Sequence, residues 1–269
     1  MPIRGKPVPF GAMPVPLPYG PEAPLIKPED LERWILEEDA DMLVLNKPGW
    51  VVCHPSKNGP WSSLVGAVRE ARALERVHLV SRLDRETSGL VVLAKHRKAA
   101  SRLQTAFARR HTRKRYLALL EGRLEEARST ESNLEKDPES PVAVKQRITF
   151  GGRGKAALTH FRPLEYWGPH TLTEVIPESG RKHQIRAHAA WLGHPVLGDK
   201  IYAGDPTAYL EFIDRGWTPR LERGLRFYRQ ALHAAELEIW GDGFRLTFQA
   251  PCPFEGEGFR ERAEAESLP

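Results

Sequence analysis

Residues 80–95 read VSRLDRETSGLVVLAK, in which a cluster of charged side chains runs directly into an apolar stretch. Two arginines, Arg82 and Arg85, flank a single acid, Asp84. A cluster of this kind is most often a solvated surface ion pair that contributes ~0–1 kcal/mol. Ser88 and Gly89 are expected, however, to form a turn before residues 90–94, whose apolar run indicates a buried strand, and a loop fixed by a rigid element often carries functional residues. Both interpretations stay open at this point, and the neighbouring positive charge favours an ionised Asp84.

Apolar runs and helical spacing predict the elements around this stretch. Residues 42–46 (MLVLN) and 90–94 are typical of strands buried on both faces and should pair in a core sheet. The other predicted elements are a helix beginning near Pro28, an amphipathic helix over 97–110, strands at 116–120, 157–161 and 171–176, a helix from Ser179 or Gly180 to about Leu192, strands near ALHAAELEI and FRLTFQA, and a solvated excursion over 121–139. Because strands and helices do not alternate regularly, we predict an α+β fold with a mixed, largely antiparallel central sheet flanked by helices.

The positive charge of the chain is concentrated in one segment. The 269 residues include 40 Lys or Arg against 35 acids, which gives a net charge of +5 and a pI near 9.2. The segment 94–120 contains no acid, and we predict that its basic side chains bind an anionic partner. These residues are Lys95, Arg97, Lys98, Arg102, Arg109, Arg110, Arg113, Lys114 and Arg115.

Composition also suggests the compartment and the boundaries of the domain. Two cysteines in no metal-like spacing favour a reducing compartment, with the cytoplasm as the expected location, and no apolar run is long enough to span a membrane. Residues 1–34 are predicted to be a proline-rich extended arm, either packed on the domain or free. Residues 35–254 then form one folded domain, and 255–269 form an acidic C-terminal tail.

Several common chemistries lack their motifs. The glycine-rich residues 151–155 (GGRGK) do not have the spacing of a phosphate-binding P-loop. His183, His188 and His194 lie near one predicted helix, but their spacing and the absence of paired cysteines argue against a metal site. There is no GxSxG motif of a serine hydrolase. Asp84 therefore remains the leading candidate for a reactive group.

Four segments resemble the RluA-type pseudouridine synthases. Residues 80–95 are similar to the family pattern HRLDxxTSGLLLLAK, and PESGRKHQIRAHAAWLGHPVLGDKIYAG (177–204) is similar to PxTGRxHQIRxHxxxxGxPIxGDxxYG. FARRHTRKRYLALLEG (107–122) resembles a family segment that ends in KxYLALVxG, and DADMLVLNKPGWVVCHP (39–55) resembles EDxxLLVVNKPAGLVVHP. The resemblance covers about residues 35–254 and implies the pseudouridine synthase fold with a catalytic cleft.

The resemblance also implies an activity and the residues that perform it. An RNA uridine is flipped out of its stack and isomerised to pseudouridine with the help of an essential aspartate, which matches Asp84. Arg82 matches an arginine that fills the vacated space, Tyr116 a tyrosine that stacks on the uracil and assists proton removal at carbon 5, and Arg186 the cation paired with the aspartate. The expected partner is ribosomal or transfer RNA, and the protein is expected to be a monomer without cofactor or metal.

Two departures from the family pattern leave alternatives open. Ser81 replaces the usual histidine, and Trp50 stands where a glycine is usual after NKP. We expect no separate RNA-binding module of the S4 type before the domain, so that recognition of the substrate would depend on the catalytic domain, the proline-rich arm or both. The main alternative to an enzyme is a non-catalytic RNA-binding or RNA-assembly protein that retains the fold. A base-excising glycosylase is a third hypothesis, for which Glu86 is the nearest second carboxylate. Lys47 of the NKP motif is expected to be exposed and structural, or in weak contact with RNA.

Overall fold

The computed structural model describes residues 24–54, 58–225 and 227–266, so the prediction for most of the proline-rich arm lies outside the described residues. The helices are α1 (Pro28–Trp34), α2 (Leu64–Ala71), α3 (Arg97–Ala108), α4 (Gln184–Trp191), α5 (Thr207–Arg215), α6 (Pro219–Leu225) and α7 (Phe259–Ala265). The strands are β1 (Ile35–Glu38), β2 (Met42–Lys47), β3 (His78–Leu79), β4 (Ser88–Ala94), β5 (Thr112–Leu120), β6 (Arg128–Lys136), β7 (Gln146–Thr149), β8 (Lys155–Trp167), β9 (His170–Pro177), β10 (Leu232–Gly241) and β11 (Phe244–Gln249).

These strands form a single mixed sheet in the order β1-β2-β4-β10-β5-β9-β8-β6-β7, with β3 paired to β4 and β11 to β10. Every pair is antiparallel except β4 with β10, which meet in parallel at Ser88 and Gly89. Gly89 has φ 109°, and a Cβ placed there would lie 2.3 Å from the carbonyl oxygen of Ala234, so only glycine fits. The predicted α+β fold with a mixed, largely antiparallel sheet flanked by helices is confirmed.

The strand that follows the charge cluster is buried on both faces. Alternate side chains of β4 point to opposite sides. Leu90 and Val92 pack with Leu103 of α3 on one side, whereas Val91 and Leu93 pack with α1 and α2 on the other. Helix α4 packs on the part of the sheet that contains β5 and β9, through its side chains Ile185 and Ala189. The parallel junction of β4 and β10 therefore lies between two packed layers, and the loop that precedes β4 is held there.

Some elements differ from the sequence expectations. Helix α4 begins at Gln184 rather than at Ser179 or Gly180, because the Ser179 hydroxyl donates to the Gln184 side chain instead of capping an earlier turn. Ser88 and Gly89 do not form a turn but begin β4 itself. The turn lies earlier, where the Thr87 N–H donates to the Asp84 carbonyl at 3.2 Å. This turn sets the position of the charged loop.

Two acidic segments are more ordered than their composition suggests. The stretch 121–139 is not a solvated excursion, because it contains β6, which pairs with both β7 and β8. Residues 255–269 include α7, whose Phe259 and Ala263 are fully buried in a core cluster, so this part of the acidic tail packs on the domain. No helix within the described ranges is long and apolar enough to cross a bilayer.

Candidate active site

An ion pair between Asp84 and Arg186 forms the centre of the candidate site. Asp84 lies in the loop before β4, and Arg186 projects from α4, 102 residues further along the chain. Arg186 Nη1 donates to Asp84 Oδ2 at 2.8 Å. Arg85 is engaged elsewhere, since its Nε donates to the Trp50 carbonyl at 3.0 Å. The structure thus pairs Asp84 with the distant Arg186, as the resemblance implies.

A second carboxylate holds Arg186 from behind. Asp199 accepts from Arg186 Nε at 2.6 Å and from Nη2 at 2.8 Å, which makes a bidentate pair. Asp199 is completely buried, and its Oδ1 also accepts the backbone N–H groups of Ile201 and Tyr202. A bidentate, backbone-anchored pair fixes the guanidinium plane. Arg186 therefore presents its remaining edge to Asp84 in one orientation.

His183 faces the same carboxylate. Its Nε2 lies 3.7 Å from Asp84 Oδ2, and its Nδ1 lies 3.0 Å from the Tyr202 hydroxyl. That hydroxyl also accepts the Gln146 N–H at 2.8 Å. Burial, followed by the charge of Arg186, lowers the pKa of His183 to about 4. At neutral pH His183 is therefore a neutral ring beside Asp84.

The surroundings keep Asp84 ionised. Burial alone would raise the pKa of this carboxyl, but the charges on His183 and Arg186, with a smaller contribution from Arg82, lower it below its usual value. His183 carries charge only at acid pH, where Asp84 itself would take up a proton. At neutral pH, Arg186 therefore provides the main paired positive charge.

Tyr116 and Arg82 lie on the other side of the loop. Tyr116, on β5, borders a cleft of about 200 Å³ together with Arg82 and Lys114. Burial and then the charge of Asp84 raise the pKa of Tyr116 above its usual value, so it remains a phenol at neutral pH. Arg82 is exposed and also borders a larger cleft of about 360 Å³ that contains Asp84 and Arg186. All four predicted catalytic and supporting residues therefore line two adjoining clefts.

Buried cations anchor the backbone and side chains of the loop. Lys47 is fully buried, not exposed as expected, and its Nζ donates to the carbonyls of Pro48, Val51 and Arg85 at 2.8, 2.8 and 3.0 Å. Burial lowers the pKa of Lys47 to about 8. Glu86, the residue after Arg85, is also fixed, because Lys200 Nζ donates to its carboxylate at 2.7 Å.

The remaining acid and the substituted serine have structural contacts. Glu86 is tied to Lys200, so it does not stand opposite Asp84 as a free second carboxylate. Ser81 accepts the Val92 N–H through its hydroxyl at 3.1 Å, which attaches the start of the loop to β4. The substitution at Ser81 thus supplies a local hydrogen bond. Within the described residues, no group of histidines, cysteines or acids has the arrangement of a metal site.

The predicted basic segment divides into two sets. Lys95, Arg102 and Arg115 pair with Glu38, Asp41 and Glu236 respectively, at 2.7, 3.0 and 2.6 Å. No ion pair within the described part of the chain involves the other six predicted residues, which are Arg97, Lys98, Arg109, Arg110, Arg113 and Lys114. Lys114 is partly buried beside the Phe107 ring, 5.6 Å from its centroid. The unpaired set is the part of the segment whose charge is available to an anion.

The chain matches one protein family. A family profile described as RNA pseudouridylate synthase matches residues 41–191. Ribosomal large subunit pseudouridine synthase D of Xylella fastidiosa is 36% identical over 217 residues, which cover 79% of this chain and 63% of that protein. The proteins of the same name from Escherichia coli strain K12 and Vibrio parahaemolyticus are 32% and 34% identical and cover 84% and 90% of this chain. The matches cover 69% and 77% of those two relatives.

Solved structures give the same result for the fold. Human RNA pseudouridylate synthase domain containing 1 superposes with a TM-score of 0.64 at 29% identity, over 82% of this chain and 83% of the other. Human RNA pseudouridylate synthase domain containing 4 gives a TM-score of 0.65 at 25% identity, over 87% and 95%. The sheet and helices described above are therefore shared with these proteins along most of their length.

Proposed function

The chain belongs to the RNA pseudouridylate synthase family, and from this premise we propose that it isomerises uridine to pseudouridine in ribosomal RNA, with Asp84 as the catalytic carboxylate. The observation that carries the proposal is the arrangement at Asp84, a partly exposed carboxylate beside a cleft whose cation, Arg186, is fixed from behind by Asp199. Ribosomal RNA is proposed because the relatives named above carry that target in their names.

The reaction needs a carboxylate but no net electron transfer. The bond between uracil N1 and the sugar C1′ breaks, a bond between C5 and C1′ forms, C5 loses a proton and N1 gains one. An ionised Asp84 can add to the sugar, add to the base or assist formation of a glycal, and each route requires the unprotonated form. The ion pair with Arg186 maintains that form at neutral pH.

Access to the carboxylate requires a displaced base. A uridine stacked in structured RNA cannot reach a cleft wall, so we propose that it flips out at a cost of a few kcal/mol. We propose that Arg82, which lines both clefts, enters the space that the base leaves. Tyr116 borders the second cleft as an intact phenol and supplies an aromatic face for the uracil. Action as a cytoplasmic monomer stays a prediction.

The test is a pseudouridine map of ribosomal and transfer RNA from cells with and without the protein, repeated with Asp84→Asn. We expect one or more ribosomal sites to lose the modification and Asp84→Asn not to restore them. Asp41→Asn is a matched control, because Asp41 pairs with Arg102 outside the clefts, and it should restore every site. Unchanged maps would leave the non-catalytic alternative, sites lost only from transfer RNA would reject the ribosomal target, and released uracil would indicate a glycosylase.

A further inference from the structure

Two exposed aromatic side chains contact each other outside the clefts. Phe150, directly after β7, is 63% exposed, and Trp191, the last residue of α4, is 58% exposed. Their ring centroids are 5.5 Å apart at an angle of 55°. Neither ring covers the other in parallel, so a broad aromatic surface remains open to solvent. Apolar side chains this exposed gain little from folding, and adjoining ones often mark a binding surface.

Basic residues lie between this aromatic pair and the active site. Lys182 borders the cleft of Asp84, and the preceding Arg181 reaches β8, where its Nε donates to the Ala156 carbonyl at 3.2 Å. Lys155 is the neighbour of Ala156, and Arg153 lies in the glycine-rich turn that returns to Phe150. In the ranges that the structure describes, none of these four cations has an ion-pair partner. These four cations therefore form a positively charged connection along the chain between the cleft and the aromatic pair.

The same sheet face carries both features. Ala157 and Ile148 pack toward Ala187 of α4, and side chains two residues apart on a strand share a face. Lys155 therefore points to the side on which α4 lies, and Phe150, directly after β7, contacts Trp191 at the end of α4. The glycine-rich loop connects β7 to β8 and crosses over β6, which pairs with both strands. A Cβ on Gly154 of this loop would lie 2.8 Å from the Leu134 carbonyl oxygen of β6. The close approach explains the glycine and brings the basic turn against the end of the strand.

We propose that Phe150 and Trp191 form a stacking platform for an unpaired RNA base that flanks the target uridine, with Arg153, Lys155 and Arg181 contacting the adjoining phosphates. The proposal rests on the proposed function, because it assigns a second contact to the same RNA substrate. Aromatic faces that alternate with basic side chains suit single-stranded nucleic acid, whose bases stack while its phosphates are neutralised. A symmetric contact between two copies would instead bring the basic loops against each other, which like-charge repulsion opposes.

The experiment compares Phe150→Ser/Trp191→Ser with the wild type on an RNA fragment that contains the mapped site and its single-stranded flank. We expect RNA affinity to fall by about 5- to 150-fold with the salt dependence retained, because a stacked base is lost but no phosphate contact. The loss should be seen in KM more than in kcat. Trp191→Phe keeps an aromatic face and should recover most of the affinity. Tyr166→Ser is the matched control, since Tyr166 is 43% exposed beside Arg123, near the end of β8 opposite to Lys155.

A second arm tests the charge and the other occupants of the surface. Arg153→Gln/Lys155→Gln should lower the slope of log affinity against log salt by about 1 to 2. The proposal is overturned if Phe150→Ser/Trp191→Ser binds RNA as tightly as Tyr166→Ser, or if sedimentation shows a wild-type dimer that this variant dissociates. Either result leaves the proposed function intact as long as Asp84→Asn abolishes the modification, so the two failures are distinguishable. Circular dichroism confirms that each variant is folded.

Discussion

The ionisation of Asp84 depends on two opposed effects at a single residue. Burial raises the pKa of its carboxyl, and the positive charges of His183, Arg186 and Arg82 outweigh that effect. Removing Arg186 takes away two of the effects that lower this pKa, its charge and its hydrogen bond. We therefore expect Arg186→Gln to raise the pKa of Asp84. The acid limb of the pH profile of kcat should move to higher pH, with reduced activity at neutral pH.

The neighbouring arginine provides the control. Arg85 donates to the Trp50 carbonyl and is not among the main charges that set the pKa of Asp84, so Arg85→Gln should leave the acid limb where the wild type has it. Arg186→Lys keeps the charge but cannot donate to Asp84 and bidentately to Asp199 at once. We expect its acid limb to lie between those of the wild type and Arg186→Gln. An acid limb that moves with Arg85→Gln but not with Arg186→Gln would contradict the assigned pair. Single-turnover measurements across pH 4 to roughly 8 cover the expected range.

Asp199 contributes to stability as well as to geometry. Its carboxylate is fully buried and carries two bonds from Arg186 and two from backbone N–H groups. Asp199→Asn keeps the shape but removes the charge opposite a buried guanidinium, which should lower the free energy of unfolding by about 3 kcal/mol. Urea denaturation measures the change. Asp84→Asn, at a partly exposed carboxylate, should cost less; an equal or larger loss there would refute this difference.

Sequence reasoning identified some site residues and missed others for a physical reason. Asp84, Arg82, Tyr116 and Arg186 stand in segments whose pattern can be read along the chain. Lys47, His183 and Asp199 also match letters of the quoted patterns, but their buried contacts form only on folding, and the resemblance assigned none of them a role at Asp84. For Asp199, the match of its GD pair to the family pattern was the available signal.

At the scale of elements, the parallel junction of β4 and β10 depends on a neutral histidine. His233 is fully buried, with Nδ1 3.0 Å from the Ser88 hydroxyl and Nε2 3.2 Å from the Ala250 carbonyl. Nε2 must carry a proton to donate to a carbonyl, so in the neutral ring Nδ1 is the acceptor that faces the Ser88 hydroxyl. Burial lowers the pKa of His233 to about 4. The junction therefore requires a histidine that resists protonation.

This requirement gives a pH dependence of stability. An unfolded histidine titrates near 6.5, so between about pH 6.5 and 4 the unfolded chain binds a proton that folded His233 does not. The stability contributed above pH 6.5 is therefore lost as pH falls toward 4, by up to about 3 kcal/mol. We expect His233→Gln to show a correspondingly smaller loss over that interval in urea denaturation. His160→Gln, at an exposed histidine of β8, should follow the wild type; equal slopes for all three proteins would contradict the prediction.

Elements were predicted well where apolar patterns dominate. The runs at 42–46 and 90–94 are β2 and β4, which pair as expected. Strand β6 was missed because its inward positions include the small polar residues Thr130 and Ser132, while acids occupy outward positions, so its alternation is hidden by polar composition. The Ser132 hydroxyl bonds to buried His188 of α4, a tertiary contact that compensates for this polarity.

For the whole molecule, the sequence predicts a fold class and an anionic partner but not which charges stay available to it. The strand order brings β4 beside β10 across more than 130 residues of chain, and no local signal specifies that pairing. The same folding neutralises Lys95, Arg102 and Arg115 with acids from distant segments. The net charge of +5 is therefore a poor guide to RNA affinity. Which cations are left without an acidic partner is a better guide to RNA affinity, and the salt dependence of binding tests it.

Affinity for RNA should depend on the unpaired cations and not on the paired ones. Each phosphate contact contributes about 0.7–0.9 to the slope of log affinity against log salt. We expect Arg109→Gln/Arg110→Gln/Arg113→Gln to lower this slope by about 2 to 3 and to weaken binding uniformly across RNA sequences. Arg102→Gln/Arg115→Gln is the control, because both arginines already have acidic partners, and its slope should stay within about 0.5 of the wild type. Filter binding from 50 to roughly 200 mM salt measures both slopes. Equal reductions per residue in the two variants would show that the ion pairs open on binding RNA, and that pairing does not select the contacts.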